Sequence, residues 1–127
     1  MKRWVLDSSA VLAYLNREPG REAVASMLDG ALLSTVNAAE IGTKLADDGF
    51  TRSEVEHLVG VLEVSLVEFD GPLAYRTAEL RTATRHAGLS LGDRACLATA
   101  ERLGATAVTM DRSWQDLKIG VEIQVIR

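Results

Sequence analysis

The chain carries four carboxylates, Asp7, Glu40, Asp93 and Asp111, each at the end of a predicted strand or early in a predicted helix. In an open α/β sheet the carboxyl ends of strands and the amino ends of helices meet at one edge, where such folds bind ligands. Acids gathered at that edge repel one another and need a cation. Because an acid cluster with a divalent cation is the minimal apparatus for hydrolysing a phosphodiester, the spacing predicts that chemistry.

The local sequence around each acid supports this placement. Asp7 ends the apolar run 4–6, and Asp111 follows the apolar run 107–110. Asp93 shares a helical stripe with apolar residues three, four and seven positions later, so its helix points a carboxylate inward from the first turn. A helix amino terminus tolerates that negative charge, and a plain first-turn acid is the simpler interpretation of Asp93 taken alone.

Composition and length predict a single globular domain over residues 1–127. The chain is 47% hydrophobic and 25% charged, which is ordinary for a soluble protein. No apolar run approaches the roughly 20 residues that span a bilayer, so we expect no membrane association. The single cysteine, Cys96, cannot form an internal disulfide, which favours a cytoplasmic location. A net charge of −4 gives no general attraction to nucleic acid, so basic residues near the site or bound metal must supply it.

Strand and helix patterns alternate along the sequence, with capping residues and glycines at the boundaries. Strands are predicted over 4–6, 31–34, 65–69, 107–110 and 121–126. Helices are predicted from Ser8 or Ser9 to Pro19-Gly20, over 23–28, from Thr35 to Asp48-Gly49, over 51–62, from Asp70 to Gly88, from Ser90 or Leu91 to Gly104, and as a turn over 113–117. Strands separated by helices need crossovers, so we expect an α/β fold with a mostly parallel sheet covered on both faces.

Four stretches together resemble the PIN-domain ribonucleases, in particular the VapC-type toxins of bacterial toxin–antitoxin pairs. They are the segment 5–15, the Glu40-Ile41 pair after 34–36, the segment 91–97 and the strand end at 109–111. Their order and spacing cover nearly the whole chain. The resemblance implies a PIN-like α/β/α sandwich with about five parallel strands, which cuts RNA with Mg²⁺ or Mn²⁺.

The resemblance also assigns roles to the acids. Asp7, Glu40, Asp93 and Asp111 become the catalytic and metal-binding residues, with Ser8 as a supporting hydroxyl. Hard oxygen ligands without His or Cys select Mg²⁺ or Mn²⁺ over Zn²⁺. We expect Asp7 and Asp93 to bind the first ion, with Asp111 and Glu40 holding it through water or adding a second.

Several neighbouring side chains leave alternatives open. Glu40 could pair with Lys44 four residues later, or Lys44 could temper the acid cluster. Arg94 and Arg112 each follow a site acid, where they could steer a phosphate or form exposed ion pairs. Asp70 follows a strand as well, but Asp-Gly-Pro explains it as a helix cap.

The resemblance implies three partners: an RNA substrate, a cognate antitoxin and a second copy of the chain. We expect a homodimer through the segment 36–62, which has more apolar residues than one buried helix face can hold. We also expect a heterotetramer or larger assembly with the antitoxin. The apolar residues in excess are Phe50, Val55, Leu58, Val59, Val61 and Leu62.

Rival interpretations of the acids come from two classes. A haloacid-dehalogenase-like phosphatase would need Asp-x-Asp after its first strand, whereas Asp7 is followed by Ser8-Ser9. A response-regulator receiver would need a paired acid and a late lysine, and neither is evident. A catalytically silent acidic α/β module that acts by binding protein remains the alternative.

Overall fold

Five short parallel strands form the centre of the molecule. The computed structural model describes residues 2–126. The strands are β1 (Trp4–Leu6), β2 (Leu32–Ser34), β3 (Ser65–Val67), β4 (Thr106–Thr109) and β5 (Ile123–Val125), and their order across the sheet is β3-β2-β1-β4-β5. All four neighbouring pairs are parallel, so β1 lies in the middle. The predicted parallel sheet of about five strands is therefore confirmed.

Six helices within the described residues connect the strands. They are α1 (Ser8–Leu15), α2 (Arg21–Ala25), α3 (Thr35–Asp47), α4 (Arg52–Val61), α5 (Gly71–Thr84) and α6 (Leu91–Leu103). Two short 3₁₀ turns, Arg85–Ala87 and Arg112–Trp114, follow α5 and β4. Among the helices within residues 2–126, none combines the length and the hydropathy that crossing a membrane requires.

Side-chain caps fix where the helices begin. Thr51 and Glu54 form the predicted capping box at the start of α4, in which each side chain accepts from the other residue's backbone N–H. Ser90 and Asp93 form a second capping box on α6. At the carboxyl end of α6, Gly104 adopts a left-handed conformation with φ of 60°, where glycine carries no steric penalty.

The sheet separates two apolar cores, which makes the fold a three-layer sandwich. Successive residues of a strand point to opposite faces, so Leu6 packs into one core and Val5 into the other. The first core is built mainly with α1, α2, α3 and α4, and the second mainly with α5 and α6. Trp114 and Cys96 are fully buried in the second core.

Several predicted boundaries were wrong by a few residues. The helix predicted over 23–28 is α2, which begins at Arg21 and ends at Ala25 because the following backbone bonds, such as Met27 N to Val24 O, close tighter turns. The last strand covers only Ile123–Val125, the residues that are in register with β4. The turn predicted over 113–117 is Arg112–Trp114, and the helix predicted to reach Gly88 becomes 3₁₀ after Thr84.

Candidate functional site

The central pair of strands brings the two ends of the sequence together. β1 and β4 are neighbours in register, with Leu6 opposite Val108, and the Asp7 N–H donates to the Val108 carbonyl at 3.0 Å. The Thr109 hydroxyl then donates to Asp7 Oδ2 at 2.7 Å. The strand-end acids Asp7 and Asp111 consequently lie at the same edge of the sheet, as parallel strands require.

Asp7 is the most constrained acid of this edge. It caps α1, and its Oδ1 accepts from the Ala10 N–H at 2.9 Å and from the Ser9 hydroxyl at 2.7 Å. Only 2% of the residue is exposed. Burial raises the pKa of Asp7 from 3.8 to about 6, against the hydrogen bonds from Ser9, Thr109 and Ala10 that lower it, and the negative charge of Asp93 raises it further.

Asp93 faces the same group of charges from α6. Its Oδ2 accepts from the Ser90 N–H at 2.9 Å as part of the capping box. Partial burial raises the pKa of Asp93, its hydrogen bonds with Ser90 lower it, and the charges of Glu40 and Asp111 raise it. Asp93 therefore interacts electrostatically with each of the other three acids.

Glu40 is held between three helices. Its Oε1 accepts from the Ser8 hydroxyl at 2.8 Å and from the Asn37 amide nitrogen at 2.8 Å. A Cβ added to Gly92 of α6 would overlap the Glu40 carboxylate, so the carboxylate packs directly on the backbone of that helix. Ser8 thus supports the cluster through Glu40.

Asp111 is the exposed member of the group. Its Oδ1 accepts from the Ser113 N–H at 2.9 Å and caps the turn Arg112–Trp114. The Asp111 N–H donates to the Thr109 hydroxyl at 3.0 Å, and that hydroxyl donates to Asp7. A single threonine therefore links the two strand-end acids.

No basic side chain among residues 2–126 forms an ion pair with any of the four acids. The alternative of a Glu40–Lys44 pair was therefore wrong. Arg94 turns away from Asp93 and donates to the Thr77 carbonyl of α5 at 2.9 Å. Arg112 is exposed beside Asp111. The cluster thus has four carboxylates and no neutralising contact in this part of the chain.

The donor chemistry fits a hard divalent cation, because every candidate ligand is a carboxylate oxygen. One oxygen each of Glu40, Asp93 and Asp111 accepts no hydrogen bond from residues 2–126. Within the same residues, however, no three acidic, His or Cys side chains come close enough to form a ligand group. The carboxylates of Asp7, Asp93 and Asp111 each accept a cap hydrogen bond, which ties each one to its own helix or turn.

Two residues important to the geometry were not in the predicted site. Asn37 is fully buried and contacts both Glu40 and the backbone of Gly92. Ser9 donates to Asp7 and accepts from the Met110 N–H at 3.0 Å. The sequence signal for Asn37 was its position three residues before Glu40, which places both on one helix face.

Comparison with solved structures shows the same fold in other proteins. The chain is similar to a toxin–antitoxin complex from Klebsiella pneumoniae, with a TM-score of 0.76 and 13% identity over 97% of this chain and 97% of that chain. It is also similar to VapBC2 from Rickettsia felis bound to a promoter DNA fragment, with a TM-score of 0.72 and 15% identity over 96% of this chain and 97% of that chain. For FitAcB from Neisseria gonorrhoeae the TM-score is 0.63 and the identity 23%, over 94% of this chain and 95% of that chain.

Comparison by sequence gives the family. No curated protein sequence matches the chain significantly. The profile of the family described as PIN domain matches residues 4–120, which include all four acids and all strands except β5. The chain is therefore a member of the PIN-domain family.

Proposed function

We propose that the chain is a metal-dependent endoribonuclease, and that it is the toxin of a toxin–antitoxin pair. The observation that carries the nuclease proposal is that Asp7, Glu40 and Asp111 all lie near enough to Asp93 for charge repulsion, while none of the four acids forms an ion pair in the described residues. Membership of the family supports the nuclease proposal, because PIN domains are generally nucleases. Burying a carboxylate is unfavourable, and a bound cation can offset the cost of that burial.

The residues have distinct roles in this proposal. Asp7 and Asp93 would hold Mg²⁺ or Mn²⁺, with Glu40 and Asp111 completing the ligands directly or through water. A divalent ion there supplies a water of lowered pKa and charge stabilisation for the leaving oxygen. Glu40 would take the proton of the attacking water as general base. Ser9 and Thr109 keep the Asp7 carboxylate oriented toward the edge of the sheet.

Arg112 is an exposed basic side chain next to Asp111 and would meet a phosphate of the RNA. It follows Asp111 directly, and it makes no ion pair with residues 2–126. Arg94 is already committed to α5 through Thr77. Phosphate steering is therefore assigned to Arg112 and not to Arg94.

The toxin role is supported by solved structures with this fold, which include a toxin–antitoxin complex from Klebsiella pneumoniae and VapBC-5, a toxin–antitoxin system of Mycobacterium tuberculosis. A groove of about 370 Å³ lies between α1 and α3 beside the acids and extends from Ser9 to Asp48. Its apolar lining residues are Leu12, Leu45 and Met110, and its charged ones are Glu18, Asp48 and Lys44, so acidic side chains outnumber basic ones. A segment of antitoxin with apolar and basic side chains would complement this groove.

The proposed homodimer has a smaller basis in the structure. Ala38, Val55, Val59 and Leu66 line an apolar groove on α3, α4 and the edge strand β3. Val61 and Leu66 are more than half exposed, at 57% and 53%. Leu62, which was predicted to add to that apolar surface, is instead buried in the core. Light scattering that shows only the mass of one chain at tens of micromolar would contradict the dimer.

Cleavage of RNA by the purified full chain tests the nuclease. We expect internal cleavage with Mg²⁺ or Mn²⁺, none in EDTA, and a loss of at least about 100-fold in Asp7→Asn, which removes a ligand charge from the essential ion. Asp29→Asn is the matched control, because Asp29 is exposed in the turn before β2. An unchanged rate in EDTA, or equal rates for the two variants, would overturn the proposal.

The alternative function is a catalytically silent acidic module that binds protein partners. It predicts no cleavage of any RNA at any metal concentration, while binding to the antitoxin survives in Asp7→Asn. Co-expression separates the two: the nuclease should arrest growth unless the neighbouring small gene is present, and Asp7→Asn should not arrest growth in either case.

A further inference from the structure

Asn37 is a buried amide that joins two of the acid-bearing helices. It lies on α3 one turn before Glu40, and its side chain has no exposed surface. Its amide nitrogen donates to Glu40 Oε1 at 2.8 Å and to the Gly92 carbonyl at 3.1 Å. An Asn amide nitrogen has two hydrogens, so both are used. Gly92 precedes Asp93, and the amide therefore connects Glu40 with the residue beside Asp93.

The other atom of the amide is left without a partner. Asn37 Oδ1 is buried and accepts no hydrogen bond within residues 2–126. Burying such an oxygen is unfavourable, and an apolar residue of similar size would avoid it. The amide is therefore suboptimal for stability alone, while its nitrogen makes two directed contacts in the acid cluster.

Gly92 provides the opposing surface for the same carboxylate. A Cβ at this position would overlap the Glu40 carboxyl group, so only glycine permits the observed contact. Ser8 donates to Glu40 Oε1 at 2.8 Å from the α1 side. The carboxylate is thus held from two sides by Asn37 and Ser8 and rests on the backbone of α6.

We propose that Asn37 is a positioning residue, which fixes the Glu40 carboxylate against Gly92 and so sets its placement beside Asp93. Asn37 touches neither substrate nor ion in this assignment and acts through Glu40. The inference rests on the proposed function where it concerns metal, and on the geometry alone where it concerns the Glu40 carboxylate.

The first test is structural and independent of metal. We expect a crystal structure of metal-free Asn37→Leu to show the Glu40 carboxylate displaced from Gly92, with α3 and α6 unchanged. Thr84→Val is the matched control, because Thr84 is also buried and its hydroxyl donates only to the Leu80 carbonyl of α5. If Glu40 keeps its place on Gly92 in Asn37→Leu, the proposal is wrong.

The second test is a double-mutant cycle read by calorimetric titration of metal-free protein with MnCl₂. Asn37→Leu should weaken Mn²⁺ binding by about 10-fold to 100-fold, as is typical when a residue that orients a metal ligand is removed. Gly92→Ala should do the same by displacing the carboxylate from the other side. In a Glu40→Gln background, Asn37→Leu should have almost no further effect, because the two residues act as one unit.

Each outcome of the titration has a definite meaning. Equal losses in the wild-type and Glu40→Gln backgrounds would show that Asn37 acts through overall stability, and would overturn the inference. Thr84→Val should bind Mn²⁺ as the wild type does. If the wild-type protein itself bound no Mn²⁺, the proposed function would fail, and the crystal structure of Asn37→Leu would still decide the role of Asn37.

Discussion

Two aspartates cap helices that follow strands, and their surroundings are opposite. Asp7 caps α1 and is buried, with Ser9, Thr109 and a backbone N–H as its donors. Asp70 caps α5 and is exposed, and Arg102 donates to both of its oxygens at 3.0 and 2.8 Å. The pKa of Asp7 is raised to about 6 by burial, whereas hydrogen bonds from Leu73 and Arg102 lower the pKa of Asp70.

The comparison separates an acid whose charge has a basic partner from one whose charge has none, which position in the sequence does not do. Both residues provide the same cap, so the cap alone cannot explain why Asp7 is kept ionisable in a buried place. Arg102 neutralises the charge of Asp70, so that acid needs no further cation. Where no basic residue does, the charge is available for a ligand, and perturbed acids in such places are candidates for function.

The largest expected difference between the two kinds of acid is in cleavage rate. Asp93→Asn should lose at least about 100-fold in rate with Mn²⁺ because it removes a proposed ligand of the metal ion. Asp70→Asn should cleave at nearly the wild-type rate, since Asp70 pairs with Arg102 outside the cluster. Initial rates of cleavage of one RNA, measured for both variants, test this difference. A similar loss in Asp70→Asn would remove the distinction.

The next difference is in the pH dependence of folding without metal. Since the pKa of Asp7 is about 6 in the folded protein and 3.8 as its ordinary value, folding favours the protonated form. The free energy of unfolding should therefore fall as pH rises from about 4 to 6 and stay low above that, by roughly 3 kcal/mol in all. Asp7→Asn should remove this loss and be more stable than the wild type at pH 7 in EDTA.

Denaturant unfolding at several pH values measures the free energy of unfolding of wild type and Asp7→Asn. Asp70→Asn should change the pH dependence of that free energy in the opposite direction. The pKa of Asp70 is lowered from 3.8, so its contribution is present above pH 4 and disappears as the pH falls through the folded pKa. Asp70→Asn should consequently be less stable than the wild type at pH 7 and equal to it in strong acid. Parallel pH profiles for the two variants would contradict the contrast.

A third difference concerns stabilisation by metal. An ion at 100 times its dissociation constant should stabilise the wild type by about 2.7 kcal/mol, because it binds only the folded state. In EDTA, Asp93→Asn should melt above the wild type, since it removes a charge that Glu40 and Asp111 repel. With Mn²⁺ it should gain much less than the wild type or Asp70→Asn. Equal shifts in thermal melts would exclude Asp93 from the site.

The smallest effect should come from the exposed pair itself. Arg102→Gln removes the partner of Asp70, and both side chains are well exposed, at 39% and 45%. Exposed ion pairs contribute little and are screened by salt. We expect a slight decrease in melting temperature at low salt that vanishes in 1 M NaCl, with an unchanged cleavage rate. A large decrease, or one that persists in salt, would show that Asp70 is not a simple surface acid.

Much of the fold could be predicted because local rules agreed with one another. The Thr51–Glu54 capping box and the Asp70-Gly71-Pro72 start were legible in the sequence, and both helices begin there. Strand ends were less predictable, since the length of a parallel strand depends on its neighbours. Residues 121 and 122, for example, lie outside β5, whose register with β4 begins at Ile123.

The positions of the four acids at strand ends and in helices could be predicted, but their hydrogen-bond partners could not. Helical spacing left open a pair between Glu40 and Lys44, yet Ser8 and Asn37 are the partners of Glu40. Ser8 and Glu40 are 32 residues apart, and their contact depends on how α1 packs on α3. The direction of Arg94 is likewise decided by α5, which no pattern around Asp93 reveals.

The placement of β1 between β2 and β4 has a consequence for biosynthesis. The bond from Thr109 to Asp7 joins residues 102 positions apart, so the cluster cannot form until β4 has left the ribosome. At roughly 5–20 residues per second, that delay is on the order of ten seconds after Asp7 is made. A nascent or truncated chain that lacks β4 therefore has no assembled acid cluster. Translation itself therefore postpones assembly of the proposed site until almost the whole chain has been made.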